Sequence, residues 1–148
     1  MKKPVILIIG LIYALAIVVV GFLGIKARVF NEKIYVKDIT FVFDENLTQR
    51  KAPEGVDYYF TIPDVENTSF DITAKVLPNN ATVKQCTFTS LNDINDEPFY
   101  TINTEFNGES TIGTIVCNGF NSFRTICIKV SPNDGNKQLY KTIWILLI

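Results

Sequence analysis

A run without charge constrains this chain more than anything else in it. From Val5 to Ile25 (VILIIGLIYALAIVVVGFLGI) there is no Asp, Glu, Lys or Arg. As an α-helix rising about 1.5 Å per residue, such a run reaches roughly 30 Å, the thickness of a bilayer's hydrocarbon core. Pro4 stands just ahead of it, where the first helical turn tolerates a missing N–H. Apolar residues fall on every face, which suits lipid better than the half-exposed surface of a soluble core helix. The reading is a transmembrane helix over residues 5–25, a signal anchor behind a short tail at 1–4. A cleaved signal peptide is the competing reading. It would carry a shorter apolar region and a small-x-small cleavage site, which Ile25-Lys26-Ala27 fits badly.

The flanking charges pull two ways on orientation. Lys2 and Lys3 precede the run; Lys26, Arg28, Lys33 and Lys37 follow it. The positive-inside rule alone would keep the body in the cytoplasm. The short tail before a single span and the Thr- and Asn-rich body favour the opposite. A single-pass protein of the cell membrane is therefore expected, with its C-terminal domain extracytoplasmic.

After a juxtamembrane tether at 26–32, the period of the sequence changes to two. In SFDITAKVLP, Phe70, Ile72, Ala74 and Val76 point one way and Asp71, Thr73 and Lys75 the other, which is a strand with one buried face. KIYVKDITFVF, YYFTI, VKQCTFTS, FYTINTEF, STIGTIVCN, FRTICIKV and LYKTIWILLI are β-branched and aromatic in the same manner. Ile126, Ile128 and Val130 form a core face. The last segment is apolar on both faces, Trp144 included, so it belongs mid-sheet. Asp44 to Tyr58 is polar, holds Pro53 and Gly55, and reads as a loop. Asp134-Gly135 reads as a hairpin turn. About seven strands without a helical period predict an all-β fold over 33–148: an antiparallel β-sandwich, with a barrel as runner-up.

Composition excludes several functions. Lys2, Lys3, Lys26 and Arg28 are the charged residues of the first 28, which leaves 10 basic against 15 acidic residues for the rest. A body that acidic does not suit nucleic acid. There is no histidine, hence neither the commonest general base nor the commonest zinc ligand. No nucleophile elbow, phosphate loop or C-x-x-C pair is present. An enzyme is not expected, and no cofactor or catalytic residue is assigned.

Three weaker patterns remain. In NDINDEPF, the hard oxygens of Asp93, Asn95, Asp96 and Glu97 lie close together and resemble the calcium linker of cadherins. A solvated acidic loop is the preferred reading, because the cadherin linker follows a last strand whereas this one lies mid-domain. Cys117 and Cys127 flank NGFNSF. A tight hairpin there would set them opposite each other as a cross-strand disulfide, with Cys86 left over; three free buried thiols are the alternative, and the odd count favours it. Asn46-Leu47-Thr48, Asn67-Thr68-Ser69 and Asn80-Ala81-Thr82 fit the N-glycosylation acceptor.

The stretch SFDITAKVLPNNATVKQCTFTSLND resembles the middle of bacterial immunoglobulin-like domains of the group 2 type. The matching positions are Val76, Pro78, Asn80, Ala81, Thr82, Phe88 and Ser90, with Phe88 where the family usually has Trp. The resemblance implies an immunoglobulin-like sandwich on a membrane anchor. It also implies an adhesion, spacer or carbohydrate- or protein-binding role in the cell envelope. The bilayer is the expected partner of residues 5–25, together with a protein or cell-wall component for the body. The rival reading is a small subunit of a membrane assembly, of secretion or pilus-like kind, acting through the helix.

Overall fold

The structure is a computed structural model that describes residues 3–30, 32–64, 67–92, 99–119, 121 and 123–148; within the helix, side chains are described from 8 to 22. The chain divides into two compact units, Met1–Lys33 and Ile34–Ile148.

The first unit is one helix, α1 (Lys3–Phe30). It runs past the end of the apolar stretch, so residues 26–30, expected as tether, are helical. Lys26, Ala27 and Arg28 are good helix formers and no Gly or Pro follows Gly24 before Phe30. From Ile8 to Phe22 every residue is exposed. Among the described residues no helix is long and apolar enough to cross a membrane. The part of α1 with described side chains stops short of the about 20 residues that a span needs.

The second unit is mostly β, with two sheets in a sandwich-like arrangement. The first sheet has the order β1 (Asp38–Phe43), β4 (Ser69–Leu77), β7 (Thr111–Cys117), β6 (Tyr100–Phe106), antiparallel throughout. The second has the order β2 (Thr48–Arg50), β3 (Tyr58–Ile62), β9 (Lys141–Leu147), β8 (Thr125–Pro132), β5 (Cys86–Ser90).

Period two settles which residues face inward. Phe70, Ile72, Ala74 and Val76 of β4 are buried, as are Cys86 and Phe88 of β5 and Ile126, Ile128 and Val130 of β8. β9 lies between β3 and β8 and buries Ile143, Ile145 and Leu147 completely, which accounts for its apolar composition. Phe41 and Phe43 of β1 meet Tyr58 of β3 with ring centroids 5.3 and 5.2 Å apart, and Phe43 lies 4.4 Å from Phe60, so aromatic edges close one side between the sheets.

Two expectations need correction. Nine strands are found among the described residues rather than about seven, and β2 lies inside the stretch read as a loop. Its three residues are all exposed, so no alternation marks them. The sandwich is not wholly antiparallel, because β3 pairs parallel with β9, Tyr58 opposite Ile143. The chain leaves the first sheet after β1, enters the second as β2, and reverses into β3, which runs in the same direction as β9. The tight hairpin on which a Cys117–Cys127 disulfide depended does not form, because β7 and β8 belong to different sheets.

Candidate functional site

The place where the chain enters the sandwich is fastened by hydrogen bonds. Ile34 donates its N–H to Thr82 Oγ1 at 2.7 Å and accepts the N–H of Thr82 at 2.9 Å. Lys37 N donates to the carbonyl of Leu77 at 2.8 Å. Val36, 2 % exposed, donates its N–H to Asp134 Oδ2 at 2.8 Å. Asp134 is itself 2 % exposed, and its Oδ1 accepts the N–H of Asn136 at 2.9 Å. The segment 34–37 is thus held by two loops, 78–85 and 133–140. Asp134-Gly135 lies in that second loop, the eight-residue connection that joins the antiparallel neighbours β8 and β9, as the hairpin reading expects. Gly135, at φ 94°, supplies the left-handed step and Asp134 the buried acceptor.

The stretch around Pro78 supplies much of this. Val76 ends the buried face of β4, and Ala81 N donates to the Pro78 carbonyl at 2.9 Å to close the turn. Ala81 is buried, and Thr82 makes the reciprocal pair with Ile34. Phe88 lies between the sheets: a Cβ added to Gly113 of β7 would stand 2.8 Å from its ring. Only glycine lets β7 and that ring come so close.

At the other end of the sandwich a polar network joins the sheets. Tyr100 of β6, 6 % exposed, donates its hydroxyl at 2.7 Å to Asn92 Oδ1 and accepts at 2.6 Å from Ser90 Oγ of β5. That oxygen also accepts the N–H of Cys127 at 2.8 Å, while Asn92 Nδ2 donates to the Thr125 carbonyl at 2.8 Å. Burial raises the Tyr100 hydroxyl pKa, against the Ser90 bond, so the phenol stays protonated as a donor must.

The three cysteines are free thiols. Cys117 lies opposite Tyr100 in the first sheet and Cys127 opposite Trp144 in the second, so the cross-strand placement that a Cys117–Cys127 disulfide would need does not occur. Burial pushes the Cys86 thiol up to about 11, with the Asp134 charge adding, and the Cys117 thiol up to about 11, with Asp64 adding. Burial raises Cys127 as well. Thiols so placed stay protonated at neutral pH and are poor nucleophiles.

Asp93, Asn95, Asp96 and Glu97 lie outside the described residues, and with them the calcium reading. Among the described residues no group of three or more His, Cys, Asp or Glu is placed to hold a metal. Asn46, Asn67 and Asn80 are exposed. Lys141 stands 3.6 Å from Asp38 and 3.7 Å from Asp57, linking β1 to the start of β3. The pair is partly exposed and contributes little.

Neither Tyr100 nor Asp134 stands out in the sequence as a working residue. Tyr100 occupies an ordinary inward strand position, and Asp134 reads only as a turn former. Compared with known protein families, curated proteins and solved structures, the chain matches none.

Proposed function

We propose that this is a non-enzymatic, membrane-anchored protein of the cell envelope, and that its immunoglobulin-like sandwich binds or spaces other envelope components outside the cytoplasm. The observation that carries the reading is α1, whose residues from Ile8 to Phe22 are exposed on every face and uncharged. In water each square ångström of that apolar surface costs about 25 cal/mol, and lipid around the helix removes the cost. The whole uncharged run, residues 5–25, has the length of a span.

Strand order supports the immunoglobulin-like part. Read in chain order, β1, β4, β7 and β6 take the places of strands A, B, E and D, and β5, β8 and β9 those of C, F and G. Phe88 on β5 holds the inter-sheet place that a buried Trp on strand C holds in antibody domains. The fastened segment 34–37 suits a spacer, since a pull on the anchor enters the sandwich through backbone hydrogen bonds to two loops.

Protease shaving of intact cells, with a tag at the carboxyl terminus, tests the arrangement. The tag is expected to disappear without lysis. A tag protected until lysis would place the body in the cytoplasm and end the envelope reading. The rival, an assembly subunit working through α1, rests on the same exposed helix. It predicts loss of function when residues 1–30 are exchanged for an unrelated anchor, whereas a working sandwich tolerates the exchange.

A further inference from the structure

The connection from β8 to β9 carries a cleft of about 440 Å³, the size of a small-ligand site. Its polar lining is Lys129, Ser131, Asn133, Asn136 and Lys137. What distinguishes the lining is that it offers donors and few acceptors. The acid of this loop, Asp134, is turned inward and bound to the N–H groups of Val36 and Asn136. Asn133 Oδ1 already accepts from Thr87 Oγ1, and Asn136 Oδ1 accepts the N–H of Gln138 at 3.2 Å. Each carboxamide therefore keeps its NH₂ for a ligand. The ammonium of Lys129 is held 4.6 Å from the centre of the Tyr140 ring, which orders it while leaving its charge. Among the described residues neither Lys129 nor Lys137 is paired with a carboxylate.

Two ammonium groups, two carboxamide NH₂ groups and a hydroxyl around one cleft suit a ligand that is all acceptor and negatively charged. We propose that this cleft binds a phosphate group. Val36 is bonded to Asp134 of the same loop, so the cleft lies at the end of the sandwich where the chain enters it. A phosphate there has two sources, a soluble phosphate or a phospholipid headgroup. The second rests on the membrane reading proposed above.

The test uses the full chain in maltoside micelles, titrated with inorganic phosphate at fixed ionic strength and followed by amide shifts of residues 131 and 133–137. The expected result is a saturable response that the double variant Lys129→Gln, Lys137→Gln weakens at least tenfold, with its urea midpoint unchanged. A non-saturating response, or the same affinity in the double variant, overturns the proposal. A second arm repeats the titration in phosphatidylglycerol nanodiscs. Loss of the response there names the headgroup as occupant, and an undiminished response names soluble phosphate; the site stands in both. A chain that is not retained by the discs ends the membrane reading, while the micelle titration still judges the cleft by itself.

Discussion

Gly113 decides how closely the two sheets meet. Its missing Cβ is the space that the Phe88 ring fills, so Gly113→Ala should lower stability by about 1–3 kcal/mol. Phe88→Leu in the same chain should recover part of that loss, and a double-mutant cycle in urea reads the coupling. Strictly additive effects would show that the ring is not held against Gly113. Asp134 is the second deciding residue. Asp134→Ala leaves the buried Val36 N–H without its acceptor, at a cost of about 1–3 kcal/mol. The local readout is hydrogen exchange at Val36, expected to turn from slow to fast. The thiols of Cys86 and Cys117 set a dependence on pH. Their folded-state pKa values rise from 9.0 to about 11, so the stability they confer is whole below pH 9 and is lost as pH climbs through 11. Replacing both with Ala should flatten the fall of the urea midpoint between pH 9 and 11, and an unchanged slope would refute their part in it.

β4, β7 and β8 were legible because one face of each is buried and period two follows directly. β4, β5 and β8 turn inward the residues that alternation marks, and β9 lies mid-sheet as its two apolar faces require. What escaped the sequence is set by partners far along the chain. β2 has no buried face and exists only by pairing with β3. The parallel pairing of β3 with β9 joins residues some eighty positions apart, which no local pattern encodes. The crossing from β7 to β8 was hidden for the same reason, since a turn-like NGFNSF serves a hairpin or a change of sheet equally well. The Tyr100 network belongs at this scale, because it ties β6 to β5 and β8 across the sandwich. Tyr100→Phe keeps the ring but removes the donor to Asn92, and should cost about 1–2 kcal/mol in equilibrium unfolding. No loss would mean that the hydroxyl does not help to close that end.

For the molecule as a whole, the chain joins a helix apolar on all described faces to a sandwich whose first residues are held by two of its own loops. The helix was legible from the absence of charge over residues 5–25, although its extension to Phe30 was not. The fastening at 34–37 was not legible either, since it depends on Thr82 and Asp134, far away in sequence. The proposed function requires α1 to lie in a bilayer, and extraction of membranes from cells expressing the full chain measures that most directly. After washing with high salt and then with alkaline carbonate, the chain should stay in the membrane pellet and enter solution only with detergent. Release of the chain into the carbonate supernatant would contradict the account.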